Sequence, residues 1–261
     1  MVAGTVLVVY DGHMNTVLIT GCSSGYGLET ARYFLDRDWS VIATMRTPRE
    51  DVLPPSPRLR VLPLDVTHPE SIRRTLEAAG PIDVLVNNAG VGLISAYEST
   101  SMDTVREIFE TNTFGTMALV RAVLPQFRER KSGVIVNVSS TVTLRPLLLL
   151  SVYTASKAAI NAFTESLALE LETFNIRVRL VLPGRSSETR FGENARPRVL
   201  NSTSEPYAAL VQGLFARMAE PAPFTRLQDV AEAVWRAAND PSCPMRIPAG
   251  ADAVALASSM N

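Results

Sequence analysis

Six short runs rich in Val, Ile and Leu, at 16–20, 40–45, 60–64, 83–86, 134–138 and 177–182, alternate along the chain with segments of helical length at 28–36, 70–79, 103–130 and 151–174. The runs are nearly continuous in apolar character, which is the pattern of parallel strands covered on both faces. Their alternation with helices predicts an α/β fold, a doubly wound parallel sheet with helices on both sides. One helix start is marked by Thr67, His68, Pro69 and Glu70, where a hydroxyl N-cap precedes a glutamate by three residues and proline falls in the first turn.

With 261 residues and 46% hydrophobic content the chain can bury one large core, so a single domain over 14–261 is expected. Residues 1–13 hold a short apolar run at 6–10 but no basic flank, and Met14 stands directly before the first strand. They read as an N-terminal extension from an alternative start or as an extra strand, neither signal peptide nor membrane span. Between 185 and 226 the periodicity fades and Pro, Ser, Thr and Gly accumulate, as expected for a substrate lid. The 25 Lys and Arg against 26 Asp and Glu leave a net charge of −1, too little positive charge for a nucleic-acid partner. The two cysteines, Cys22 and Cys243, suit a reducing, cytoplasmic setting, and two histidines give no metal site of the usual helical spacing.

After the first strand comes Thr20-Gly21-Cys22-Ser23-Ser24-Gly25-Tyr26-Gly27, opening a helix. In that position glycines allow a backbone to approach a pyrophosphate at a helix N-terminus. The same letters, Gly21-Cys22-Ser23-Ser24-Gly25, also fit the nucleophile elbow of α/β-hydrolases, but that reading needs a general-base histidine late in the chain. The histidines are His13 and His68.

Tyr153 and Lys157 stand four residues apart in a helical segment, so they share a face one turn apart. A free tyrosine titrates at about 10, and a neighbouring ammonium lowers that value, which makes Tyr153 a candidate general acid/base. Further polar stretches fall at fixed places: Asp65-Val66, Asn87-Asn88-Ala89-Gly90 after the fourth strand, Asn112 in a long helix, Ser139 after the fifth, and Pro183-Gly184 after the sixth.

In this order the motifs resemble the short-chain dehydrogenase/reductase family, in its short single-domain Rossmann-type branch, from about residue 14 onward. The resemblance implies that Ser139 orients the substrate oxygen, Tyr153 transfers the proton and Lys157 holds the nicotinamide ribose. It also implies that Asn112 anchors a relay water, that Asp65 contacts the adenine, and that Asn88, Ala89 and Gly90 line the nucleotide cleft. Thr189 would approach the nicotinamide carboxamide, although the polar insert between Gly184 and Thr189 departs from the family pattern. The expected activity is hydride transfer between a nicotinamide cofactor and a ketone or secondary alcohol. A non-catalytic NADP(H)-sensing or scaffold protein of the same fold is the alternative.

NAD-preferring folds carry a carboxylate about 20 residues after the glycine loop, whereas this chain has Met45 and Arg46 there. The guanidinium of Arg46, with a hydrogen bond from Ser23, suits a 2′-phosphate, so NADP(H) and the direction of reduction are expected. Val91, Leu93, Ile94, Val142, Leu144 and the run 147–150 predict an apolar, medium-sized substrate. The helices bearing Met117, Leu119, Val123 and Phe127, and Ala155, Ala159, Ile160 and Leu167, are apolar on more than one face. A homodimer or homotetramer is expected from them.

Overall fold

A computed structural model describes residues 15–189, 205–219 and 223–260; the expected extension at 1–13 and part of the expected lid lie outside these. Seven strands form one sheet: β1 (Thr16–Thr20), β2 (Ser40–Met45), β3 (Leu59–Pro63), β4 (Val84–Asn87), β5 (Gly133–Val138), β6 (Ile176–Pro183) and β7 (Arg246–Ala249). Their order is β3-β2-β1-β4-β5-β6-β7, and every pair is parallel. The central strands β4 and β5 are buried along their whole length, which is why their sequences do not alternate.

Two apolar layers sandwich the sheet. On one face Val17, Ile19, Val84, Val86, Val134 and Val136 pack on α1 (Gly25–Leu35) and on a late helix at Leu227–Asn239. On the other, Leu18, Leu85 and Ile135 pack on α2 (Pro69–Ala79), α4 (Gly115–Arg130) and α5 (Ser151–Leu171). Strand order reverses between β2 and β4 around β1, and open α/β sheets place ligands at the carboxyl ends of the strands at such a reversal.

Three details depart from the sequence expectations. The helix expected over 103–130 is two, α3 (Met102–Phe109) and α4, joined by a π-helical turn at Glu110–Phe114 that carries Asn112. Thr67 does not cap α2: the N-cap is His68, and the Thr67 hydroxyl bonds the Asp65 carboxylate at 2.7 Å. The region expected to be irregular contains α6 (Ala208–Ala219), followed by α7 (Leu227–Asn239), β7 and α8 (Ala251–Ser258). β7 has only four residues, one of them proline, and takes its place from pairing with β6 instead of from an apolar run.

Candidate active site

The glycine loop connects β1 to α1 with Gly21 at φ 75° and Gly25 at φ 61°, in the left-handed region where a side chain is strained. A Cβ on Gly21 would come within 2.9 Å of the Ala89 backbone, and one on Gly27 would overlap Asn88 and the Gly21 carbonyl. Ser24, the N-cap of α1, makes no side-chain cap, and the first turn of α1 holds no acidic residue. A helix start without a side-chain cap or a carboxylate in its first turn suits an anion. Asn88 supports this loop from beneath: its amide donates to the Thr20 carbonyl at 2.8 Å, and the Thr20 hydroxyl accepts from the backbone of Asn88 and Ala89 at 2.9 Å each.

At the end of β2, Arg46 and Ser23 are both exposed, with no carboxylate between Met45 and Arg49. Arg49, which sequence reading passed over, donates to the Ser23 carbonyl at 3.3 Å and so brings a second guanidinium to the glycine loop. Farther along this edge, the Asp65 carboxylate is partly desolvated, yet the hydrogen bonds from Thr67 hold its pKa below the ordinary value. Val66 packs where a Cβ on Gly115 would sit.

Tyr153 and Lys157 are buried on α5, and Lys157 Nζ donates to the Val138 carbonyl at 3.0 Å. Burial lowers Lys157 from 10.5 to about 8, and pushes the Tyr153 phenol well above its ordinary range. A hydrogen bond with the Ser140 side chain acts on Tyr153 in the opposite direction, while Tyr26 adds to the rise. Desolvation thus sets the direction for Tyr153, contrary to the lowering that the spacing alone suggested.

The structure brings Ser140, not Ser139, to Tyr153. Ser139 still belongs to the β5 ladder, its N–H donating to the Val181 carbonyl at 2.8 Å. Its side chain therefore follows Ile135 and Asn137 onto the α5 face, where its hydroxyl donates to Asn161 Oδ1 at 2.6 Å. One residue later the chain has left the strand, and Ser140 caps a 3-10 turn at Thr141–Thr143. For that reason the hydroxyl that meets Tyr153 is that of Ser140, one residue beyond the expected Ser139. The period-two phase of β5 was the available signal, but using it required knowing where the strand ends.

Asn112 is buried and its amide clasps Val91 on both sides, accepting from its N–H at 2.8 Å and donating to its carbonyl at 2.9 Å. A Cβ on Gly90 would lie 3.2 Å from Asn112 Oδ1 and 3.4 Å from Lys157 Nζ, so Gly90 sits close against both side chains. Pro183 ends β6, and the space beside Gly184 belongs to Asp252, whose carboxylate accepts from the Arg185 N–H and the Thr225 hydroxyl at 2.7 Å each. Thr189 lies over the glycine loop, its methyl 3.5 Å from the Cβ position of Gly25. Tyr26, bonded to Ser186, closes the same side, and burial raises it to about 12. Among the described residues no group of three His, Cys, Asp or Glu side chains could hold a metal.

An uncapped helix start at the sheet's reversal point, facing a buried Tyr–Lys pair on α5, defines the class of dinucleotide-fold oxidoreductases. Residues 15–199 match the short chain dehydrogenase family model, and the chain belongs to that family. Bovine retinol dehydrogenase 8 is 44% identical over 183 residues, covering 65% of this chain and 58% of that protein. The chain thus matches little more than half the length of this relative. The 3-ketodihydrosphingosine reductase of Bacteroides thetaiotaomicron is 37% identical over 196 residues, covering 74% and 71%. Among solved structures, a short-chain dehydrogenase from Streptomyces avermitilis superposes with a TM-score of 0.82 at 34% identity, covering 95% of this chain and 92% of that one. The closed form of a serine dehydrogenase complexed with NADP+ superposes at 0.76 with 28% identity, covering 89% and 93%.

Proposed function

We propose that the protein is an NADP(H)-dependent reductase of apolar ketones or aldehydes, with Tyr153 as proton donor, Ser140 as the group that orients the substrate oxygen, and Lys157 as ribose anchor. The observation that carries this reading is the hydrogen bond between Ser140 and Tyr153, with Lys157 one turn farther along α5, all buried at the carboxyl end of the sheet. The residues fit a dinucleotide: Gly21, Ser23, Ser24, Gly25, Tyr26 and Gly27 would receive the pyrophosphate, Asp65 and Val66 the adenine, and Ala89 and Gly90 the ribose side. Pro183, Gly184 and Thr189 would flank the nicotinamide. When bound, NADPH supplies the hydride that the side chains lack. Tyr153 gives its phenolic proton to the carbonyl oxygen and Ser140 holds that oxygen by hydrogen bonding, so that a ketone leaves as a secondary alcohol. The positive charge of oxidised nicotinamide would oppose the desolvation that holds Tyr153 protonated. Asn112, beside Lys157, would anchor a water that returns the proton.

NADP(H) is favoured over NAD(H) by Arg49 at Ser23, by exposed Arg46 directly after β2, and by the lack of a carboxylate at the end of β2. An apolar substrate is favoured by Leu93, Val142, Val152 and Leu150 around Tyr153, and by Ile94 and Leu149 against Val211 and Leu214 of α6. The names of the two relatives, which refer to retinol and a ketodihydrosphingosine, point the same way. Initial rates of NADPH oxidation with all-trans-retinal, 2-decanone, acetophenone and androstenedione, against glucose and serine, test the proposal. Faster turnover of glucose or serine than of all four apolar carbonyls overturns the substrate class. Equal affinity for NADH and NADPH overturns the cofactor. An intact proton-transfer set argues for catalysis over the alternative of a sensor or scaffold. Exposed Phe114 and Leu169, at the ends of α4 and α5, support association into a dimer or tetramer, which a monomer in sedimentation at micromolar concentration would overturn. No described helix is long and apolar enough to cross a membrane, and both cysteines are free thiols, compatible with a cytoplasmic location.

A further inference from the structure

Asn161 has no part in the scheme above, yet it is buried on α5 one turn beyond Lys157 and two beyond Tyr153. Its two amide atoms reach into the segment that carries Ser140. Oδ1 accepts from the Ser139 hydroxyl at 2.6 Å, and Nδ2 donates to the Thr143 hydroxyl at 2.9 Å. Thr143 in turn donates to the Ser140 carbonyl at 2.8 Å.

The direction of each bond follows from the next. A backbone carbonyl only accepts, so the Thr143 hydroxyl spends its proton on Ser140 and can only accept from Asn161. The amide must therefore turn Nδ2 to Thr143 and Oδ1 to Ser139, and Ser139 must donate. No other orientation satisfies all three bonds. Ser139, just before the capped turn, and Thr143, its last residue, are thus tied to the same side chain, and that side chain rides on the helix that bears Tyr153 and Lys157.

We propose that Asn161 is a positioning residue that locks the Ser140 turn onto α5 and so sets the distance between the Ser140 hydroxyl and Tyr153. This rests on the reading of Ser140 and Tyr153 given above for its catalytic consequence, but the locking itself is independent of any substrate. The groups involved are neutral, so their bonding persists across the working pH range. Without the lock, the segment keeps a long 3.4 Å bond from the Ser139 hydroxyl to the Lys157 carbonyl, the packing of Val142 with Val152, and the contact of Ser140 with Tyr153, but Thr143 loses its bond to Asn161 and the turn can drift. A displacement of about 1 Å at a reacting group costs on the order of 100-fold in rate.

The test compares the full-length protein with Asn161→Leu, Thr143→Val and the double variant. Hydrogen exchange followed by mass spectrometry, with no substrate present, should show peptides covering 139–144 exchanging at least about tenfold faster in each variant, with β1 and α1 unchanged. Unchanged exchange in 139–144 overturns the proposal whether or not an active substrate has been found. With the best carbonyl of the panel, kcat should fall roughly 10- to 100-fold in Asn161→Leu while the Kd for NADPH stays within about twofold. The double variant should lose no more than the worse single one, because both cut one network. Independent, multiplying losses, or a normal kcat despite faster exchange, overturn the positioning role. If the unmodified protein reduces none of the carbonyls, the reading of function fails while the exchange result still decides the lock. Asn161→Asp keeps an acceptor for Ser139 when ionised and should recover part of the exchange protection that Asn161→Leu loses; no recovery counts against the proposal.

Discussion

Replacing the two adjacent serines one at a time should produce opposite phenotypes. Ser139 is 4% exposed and its hydroxyl is the donor to Asn161 Oδ1. Ser139→Ala leaves that buried acceptor without its donor, at a cost of roughly 1–3 kcal/mol. For a domain of this size, about 2–4 °C in Tm accompanies each kcal/mol, so the melt should fall by a few degrees up to about 10 °C. Turnover per folded molecule should drop less than tenfold, since Asn161 still holds Thr143. Ser140→Ala removes instead the hydroxyl that bonds Tyr153, along with a long cap to the Val142 N–H at 3.3 Å. Loss of a donor aimed at a developing oxyanion costs on the order of 10²–10³ in kcat, whereas loss of a cap costs about 1 kcal/mol of stability. Thermal melts and NADPH-oxidation rates on both variants separate the two effects. A Ser139→Ala protein that melts normally but is inactive, beside an active Ser140→Ala, would refute the assignment and the strand-phase reasoning beneath it.

Lys157 is lowered from 10.5 to about 8 by burial, so between those pH values the unfolded chain binds the extra proton and stability rises with pH. Below pH 8 the full penalty of about 3 kcal/mol applies. Lys157→Met should therefore melt higher than the parent at pH 7, with the gain fading toward pH 10; a gain independent of pH would refute this. Gly184→Ala drives a methyl into the Asp252 carboxylate and should destabilise by roughly 1–3 kcal/mol in urea unfolding, whereas Gly213→Ala, with nothing within 4 Å, should not. Arg46→Ala should weaken NADPH by about 2 kcal/mol and leave NADH nearly unchanged. Arg49→Ala should act in the same direction, and equal losses for both nucleotides in titrations at one ionic strength would count against a phosphate contact.

Much of the fold was legible because its causes are local. Parallel strands buried on both faces need continuous apolar runs, so β1, β2, β4, β5 and β6 could be read directly from composition. The short, Pro-containing β7 could not, because what makes it a strand is the free edge of β6. The Tyr153–Lys157 pair was legible because a spacing of four puts two residues on one helical face whatever surrounds them. So was the glycine loop, since left-handed backbone at Gly21 and Gly25 is a demand that local sequence must meet. Whether Ser139 or Ser140 meets Tyr153 depended on where the β5 ladder releases the chain, a fact set by pairing with Val181 on another strand. The clasp of Asp252 on Arg185 joins residues 67 positions apart, and the bond from Asn161 to Thr143 joins 18. The chain by itself determined which chemistry could be assembled, because residue type and local spacing carry that. Packing of α5 and the C-terminal segment against the strand ends decided which hydroxyl meets Tyr153 and which carboxylate fills the space beside Gly184, because hydrogen bonds act over about 3 Å and only the tertiary structure sets such distances.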